Sequence, residues 1–152
     1  IYTKGDIIPP QYIAADAVVD RSIISEGTEV YGEVHNSVIG AGVTIKKGAV
    51  IRDSIIMKQS VIGENDVIDK AIIAENVTVG DNVVMGIGEE IPNKLKPNVY
   101  SFGLVTVGEN TVIPSDVKIG KNTAIVGETT PEDYPGGVLE SGETLNKEGE
   151  TE

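Results

Sequence analysis

The stretch Ile-Arg-Asp-Ser-Ile-Ile at Ile51–Ile56 returns 17 residues later as Ile-Asp-Lys-Ala-Ile-Ile at Ile68–Ile73. Related phrases begin at Val19 and Val34. A shorter rhythm runs through the same region, where aliphatic residues recur at steps of five or six: Ile39, Ile45, Ile51, Ile56, Ile62, Ile68, Ile73 and Val79. That rhythm fits no α-helix, whose apolar positions recur about every 3.6 residues. Three short steps for each long repeat predict a chain that winds in three-sided coils.

The composition favours short β-strands joined by tight turns. The chain has 152 residues, of which 20 are Ile, 20 are Val and only 4 are Leu. β-Branched side chains suit a pleated surface better than a helix. The 18 glycines supply conformations with which a chain changes direction every few residues. The sequence therefore predicts an all-β fold, a parallel β-helix of about five coils.

The rhythm also divides the chain. Residues 1–12 are interpreted as a linker from a missing N-terminal domain, because the prolines at positions 9 and 10 do not fit a central strand or a helix interior. Residues 13–127 are predicted to form the β-helix, with one corner of the shortened second repeat tight or irregular. Residues 128–152 form an acidic segment that holds a short closing strand or hairpin, and its last residues are predicted to be disordered.

The rhythm breaks at residues 85–104, which are predicted to leave the coil as an excursion loop. Long loops in compact domains are usually functional or mobile. Tyr100 and Phe102 lie in this loop and are candidates for a subunit or domain contact, since buried aromatic side chains often anchor interfaces. The alternative is that both rings pack back onto the coil.

Charge and composition exclude several classes of partner. The net charge is −12, and the segment Glu128–Glu152 holds eight acids and one lysine. A nucleic-acid surface needs clustered Lys and Arg, so no nucleic acid is expected. No apolar run is long enough for a membrane span, and no signal peptide is visible. The absence of cysteine is typical of a reducing compartment, and a cytoplasmic location is expected.

Hexads of the form aliphatic-Gly-x-x-x-x resemble the hexapeptide-repeat, left-handed parallel β-helix family; they begin at Ile39, Ile62, Val79, Val107 and Ile119. Left-handed winding is what this resemblance implies, and it is an exception to the usual right-handed connection. Narrower features are similar to the C-terminal domain of bacterial ADP-glucose pyrophosphorylase, also called glucose-1-phosphate adenylyltransferase. They are Pro9–Tyr12, the Ser-Ile-Ile or Ser-Val-Ile phrases at Ser22, Ser37 and Ser54, Val30-Tyr31-Gly32, Ile91-Pro92-Asn93, Lys96-Pro97 and Val107–Pro114.

The resemblance implies an assembly and regulatory role and a parent enzyme whose catalysis lies elsewhere. In that family an N-terminal nucleotide-binding domain carries the active site, with Mg and ATP. This sequence matches no phosphate-binding loop and no dinucleotide fingerprint. We therefore expect no catalytic, cofactor-binding or metal residue here, and no activity of the chain alone. Its expected partners are its own N-terminal catalytic domain, other subunits in a homo- or hetero-oligomer, and a sugar-phosphate effector.

Positive charge concentrates at few places, which are the candidates for an anion or effector site: Lys46, Lys47, Arg52, Lys94 and Lys96. Two cations that converge on a phosphate bind it well. Solvated corners of the coil are the alternative interpretation. The acidic tail departs from family members that carry basic residues near the C-terminus, which weakens the case for an effector site of that kind.

His35 is the single histidine and supports an alternative function. Hexapeptide acyltransferases use a histidine as general base, so a free-standing acyltransferase with His35 as base is a second hypothesis. An ordinary surface histidine is the competing interpretation. A third hypothesis is the β-helix domain of a related sugar-nucleotide pyrophosphorylase or of a non-catalytic paralogue.

Overall fold

Twenty short strands wind through residues 10–147, which are the residues that the computed structural model describes. The first three coils hold β1 (Tyr12–Ile13), β2 (Val18–Asp20), β3 (Ile23–Ile24), β4 (Glu29–Val30), β5 (Glu33–His35), β6 (Val38–Ile39), β7 (Thr44–Ile45), β8 (Val50–Arg52) and β9 (Ile55–Ile56). The next two hold β10 (Val61–Ile62), β11 (Val67–Asp69), β12 (Ala71–Ile73), β13 (Thr78–Val79), β14 (Val84–Ile87) and β15 (Val105–Val107). The last strands are β16 (Val112–Ile113), β17 (Lys118–Gly120), β18 (Thr123–Val126), β19 (Val138–Leu139) and β20 (Thr144–Asn146).

Three parallel sheets form the three sides of the coil. Sheet A holds six strands in the order β1-β4-β7-β10-β13-β16. Sheet B holds the seven strands β2-β5-β8-β11-β14-β17-β19, and sheet C the seven strands β3-β6-β9-β12-β15-β18-β20. Every third strand is therefore a neighbour in one sheet. This arrangement confirms the all-β parallel β-helix that the hexad rhythm predicts.

The number of coils is larger than the rhythm predicts. Six coils are complete, and β19 and β20 form two sides of a seventh. The predicted β-helix at residues 13–127 holds nearly all of these six coils, and the prediction of about five undercounted them and left out the strands of the acidic segment. Instead of closing as a hairpin, β19 and β20 continue sheets B and C in parallel, beside β17 and β18. Seven strands at a spacing of about 4.8 Å make a rod about 29 Å long.

The core is a set of stacked aliphatic rows, one row for each sheet. The hexad residues are almost wholly buried, for example Ile45, Ile51 and Ile56 in the third coil. Residues two positions earlier also point inward, since Val43 and Val77 are fully buried. The stacking places the same residue type above itself from coil to coil, so β-branched side chains fill a narrow interior.

The shortened second repeat has its tight corner at Tyr31-Gly32. These two residues alone join β4 to β5, whereas four residues join β7 to β8 in the next coil. Gly32 is required there, because a Cβ atom on it would lie 2.4 Å from the carbonyl oxygen of Ala49. The prediction of a tight corner in this repeat is confirmed.

Serines form a ladder along the corner between sheets B and C. The backbone N–H of Ser37 donates to Ser22 Oγ at 3.0 Å, that of Ser54 to Ser37 Oγ at 3.1 Å, and that of Ala71 to Ser54 Oγ at 3.1 Å. Each of the three serine hydroxyls also donates to the carbonyl two residues earlier. The ladder accounts for the repeated serine in the Ser-Ile-Ile phrases, because buried N–H groups need partners.

The two ends of the rod differ. At the C-terminal end Tyr134, between the short 3₁₀ turns Pro131–Asp133 and Pro135–Gly137, lies in the core cluster with 2% exposure. At the N-terminal end Ile13, which takes the hexad position of β1, is 42% exposed. Most of the linker predicted over residues 1–12 lies outside the described residues, but Tyr12 already belongs to β1 and pairs with Glu29. Residues 148–152, where disorder is predicted, also lie outside them. Lys147 itself donates its backbone N–H to the carbonyl of Val126 at 2.8 Å.

Candidate functional site

The excursion loop is the longest segment without a strand in residues 10–147. β14 continues through Ile87, so the loop spans residues 88–104 and begins three residues later than predicted. It leaves the fifth coil after β14, lies beside the sixth and seventh coils, and rejoins the fifth coil at β15. A bulge precedes it, since the pairing of β14 with β17 shifts between Met85 and Ile87.

Two asparagines hold the excursion loop in place. Asn93 is 2% exposed, and its Nδ2 donates to the carbonyl of Asn122 at 2.9 Å and to Thr144 Oγ1 at 3.1 Å. Its Oδ1 accepts the backbone N–H groups of Leu95 and Lys96. Asn122 completes the attachment, because its Nδ2 donates to the Ile91 carbonyl and its Oδ1 accepts the Gly103 N–H. The base of the loop is therefore fixed to the last two coils.

The loop presents large apolar side chains to solvent. Phe102 is 80% exposed, Leu95 71% and Val99 64%. Phe102 has a φ of 60°, a left-handed conformation that bulky residues seldom adopt. A fixed loop that displays several apolar side chains is typical of a protein contact surface. We call these three residues the loop patch.

The two aromatic candidates occupy different environments. Tyr100 is half-buried and lines a groove of about 120 Å³ between the loop and sheet C, together with Leu95 and Ala124. Phe102 points to solvent and belongs to the loop patch. Tyr100 thus packs back onto the coil, while Phe102 is free to make a contact.

The cations predicted for an anion site in the third coil lie beside carboxylates. Lys47 lines a cleft of about 190 Å³ with Asp16 and Glu33. Arg52 is at the end of β8, with His35 and Asp69 as its register partners in the adjacent strands. Lys46 lies at the corner before Lys47 and is exposed.

The other two candidate cations are in the excursion loop, beside the sixth and seventh coils. Lys94 Nζ is ion-paired with Glu143, and its backbone N–H donates to the Gly142 carbonyl at 2.9 Å. Lys96 lines the groove below Tyr100. The structure thus divides the five candidates between the third coil and the excursion loop, and their role in binding an anion stays a prediction.

His35 lies on the outer side of β5 among acids. Its Nε2 is 3.1 Å from Glu33 Oε1, and its Nδ1 is 3.8 Å from Asp20 Oδ2. A general base needs an acceptor substrate within hydrogen-bond reach, and the neighbouring cleft is lined by Glu33 instead of His35. The geometry is that of a surface histidine between carboxylates.

Asp66 is a buried group that the sequence patterns did not single out. It is fully buried, its Oδ2 accepts the Gly63 N–H at 2.7 Å, and its Oδ1 accepts the Val83 N–H at 2.8 Å. Burial raises the pKa of this carboxyl to about 7, although the two backbone hydrogen bonds act in the opposite direction. The sequence carried a positional signal for Asp66 that was missed. Asp66 takes the same place in its coil as Ala49 and Val83, which are buried, take in the adjacent coils.

Two further observations concern metals and membranes. In residues 10–147 no group of three or more His, Cys, Asp or Glu side chains is placed to hold a metal ion. No helix within the described range has the length and apolar character to cross a membrane.

The fold and its repeats define a hexapeptide-repeat β-helix. Residues 11–107 match the family described as GlmU-like, C-terminal hexapeptide, and the chain belongs to that family. Membership of this family agrees with the left-handed winding that the resemblance to hexapeptide repeats implies.

Named relatives match nearly the whole chain. A glucose-1-phosphate adenylyltransferase of Lachnospira eligens is 69% identical over 150 residues, which cover 99% of this chain and 36% of the relative. One of Acetivibrio thermocellus is 49% identical over 152 residues, covering 100% of this chain and 36% of the relative. The chain thus spans little more than a third of the length of these relatives.

Among solved structures, a putative acetyltransferase of Bacillus cereus is similar at 15% identity and a TM-score of 0.40, over 90% of this chain and 69% of that one. A likeness this distant carries no argument about function.

Proposed function

We propose that this chain is the C-terminal assembly and regulatory domain of a glucose-1-phosphate adenylyltransferase. The observation that carries the proposal is the 69% identity to a relative of that name over 99% of the chain. The whole enzyme joins ATP and glucose 1-phosphate into ADP-glucose and pyrophosphate, in glycogen synthesis and in the cytoplasm. Mg bound with ATP belongs to the N-terminal part of that enzyme.

In this proposal the chain is a scaffold. Its support is the continuous core of stacked aliphatic rows and the fixed excursion loop, which offer rigid surfaces for other domains. The carboxylates beside Lys47, Arg52 and Lys94 argue against a phosphate site made by this chain alone. A sugar-phosphate effector would therefore need cationic groups from the N-terminal part as well.

Activity assays on two lengths of the protein test this proposal. The full-length protein is expected to form ADP-glucose from ATP and glucose 1-phosphate, and the 152-residue chain alone is expected to form none. Turnover by the short chain above the blank would refute the scaffold role. A full-length protein that prefers another nucleoside triphosphate would instead place the chain in a related sugar-nucleotide pyrophosphorylase.

The loop patch gives the assembly role its own test. We expect Phe102→Asp in the full-length protein to lower the oligomer mass measured by light scattering, because a charge on an apolar anchor is costly to bury. Asn98→Asp adds the same charge at an exposed position of the same loop and should leave the mass unchanged. An unchanged mass for both variants would show that Phe102 does not lie in the subunit contact.

A further inference from the structure

Sheet C has an outer face without charge. The residues that precede the buried hexad residues form one outward row, in register from coil to coil: Ile23, Val38, Ile55, Ile72, Thr106, Ala124 and Thr144. The residues that follow the hexad residues form the second row: Ser25, Gly40, Met57, Ala74, Gly108, Val126 and Asn146. None of these fourteen residues is charged, in a chain where 24% of residues are charged.

The other two sheets differ in this respect. The outward rows of sheet B include Asp20, Glu33, Arg52, Asp69 and Lys118. The outward rows of sheet A include Glu29 and Lys46, together with Thr44 and Thr78. Sheet C is therefore the side of the rod that would lose least by being removed from water.

Solvent exposure on the face is greatest where the chain enters the coil. Ile23, in the first coil, is 65% exposed, and Val38 and Ile55 follow at 42% and 43%. Ala124 is buried at the far end, where the groove under Tyr100 and Leu95 includes it. The excursion loop thus covers the last coils of sheet C and leaves the first three uncovered.

We propose that the uncharged face of sheet C, at its first three coils, is the docking surface for the polypeptide that precedes this chain in the full-length protein. This inference rests on the proposed function. The preceding segment must join at the first coil, beside the most exposed residue of the face. The relatives extend over nearly two-thirds of their length beyond the matched region, which is ample chain to cover it.

A second copy of the chain fits the face less well. A covalently attached segment docks at a high effective concentration, so it competes well against a separate molecule. Aliphatic side chains at a spacing of about 4.8 Å suit an apolar helix or strand laid along the rod.

Site-specific photocrosslinking in the full-length protein tests the docking surface. Photoreactive p-benzoylphenylalanine is introduced at Val38 and, separately, at Val18. The two valines are matched, because Val18 lies on sheet B in the neighbouring coil with 43% exposure against 42% for Val38. A third variant at Ile55 guards against local misfolding at position 38. Mixing ¹⁴N- and ¹⁵N-labelled chains before irradiation separates crosslinks within one copy from those between copies.

The expected result is a crosslink from position 38 to peptides N-terminal to this chain in the same copy, at a yield several-fold above that from position 18. Mixed-isotope crosslinks to a second copy would overturn the proposal, as would equal yields at positions 38 and 18 or the absence of crosslinks from both position 38 and position 55. Formation of ADP-glucose, measured on the same preparations, reports separately on the proposed function.

Discussion

Asp66 is a carboxyl group in an otherwise apolar position of the core, and it links two coils. Its two oxygens accept N–H groups from Gly63 in its own coil and Val83 in the next. Because water is excluded, the charged form is held only by these dipoles and by neighbouring charges, of which Lys46 favours the charge and Asp81 opposes it. One residue thereby makes the stability of the rod depend on pH.

The pH dependence has a definite sign. The pKa of Asp66 is about 7 in the folded chain and 3.8 in its ordinary state, so the folded chain binds the proton more tightly. The contribution of this group to the free energy of unfolding is fully present below about pH 4. It falls by roughly 4 kcal/mol as the pH rises through about 7. In Asp66→Asn this component is expected to vanish. Urea unfolding of both proteins between about pH 4 and about pH 8 measures it.

Asp16→Asn is the matched control, because it removes one carboxyl at an exposed corner. Its unfolding curves should follow those of the unaltered chain at every pH. If the difference in free energy of unfolding between Asp66→Asn and the unaltered chain stays constant across that range, the buried carboxyl does not titrate as described.

The excursion loop shows at the scale of an element how an irregular segment acquires a fixed shape. The loop connects β14 to β15. Its path is set by Asn93 and Asn122, whose side-chain amides make hydrogen bonds in place of the strand pairing that the loop lacks. Gly142 permits the close approach, since a Cβ atom there would lie 2.6 Å from the Pro92 carbonyl oxygen. Buried backbone groups in the loop are thus satisfied by side chains.

Asn93→Ala is predicted to release the loop. The variant loses two donated and two accepted hydrogen bonds at a buried position, so amide exchange in residues 88–104 should rise by at least an order of magnitude. Exchange in the strands of the first four coils should be unchanged. Asn98→Ala, at an exposed position of the same loop, is the control. Equal exchange in all three proteins would show that Asn93 does not hold the loop.

The elements also show which features a sequence pattern can predict. Hexad spacing predicts the strands, and the shortened second repeat predicts that one of its corners is tight or irregular, because both follow from local repetition. The partners of Asn93 lie 29 and 51 residues away, and no local rule relates them. A closing strand or hairpin was predicted where β19 and β20 lie, but their parallel pairing with sheets B and C was not, since it comes from stacking on the preceding coil.

At the scale of the whole molecule, the two described ends of the rod differ. The C-terminal end is closed by Tyr134, which is buried in the core cluster and whose hydroxyl is 2.9 Å from Thr129 Oγ1. Glu128, next to Thr129, bridges Val112 at the edge of sheet A. Ile13 at the other end remains 42% exposed. Repeat proteins depend on such terminal caps, because each coil contacts only its neighbours. Tyr134 is therefore expected to stabilise the coils nearest to it.

Tyr134→Ala is predicted to loosen the rod from its closed end. Removing a buried aromatic ring costs roughly 3–5 kcal/mol, and Tyr134→Phe, which keeps the ring and loses the hydroxyl contact, should cost about 1 kcal/mol. Because stability in a solenoid is a sum of neighbour terms, amide exchange should rise in β18, β19 and β20 and stay unchanged in β4 to β9. Hydrogen exchange with mass spectrometry compares the three proteins strand by strand. A uniform rise along the rod would mean that the coils unfold as one unit, and that Tyr134 stabilises the whole molecule instead of closing its end.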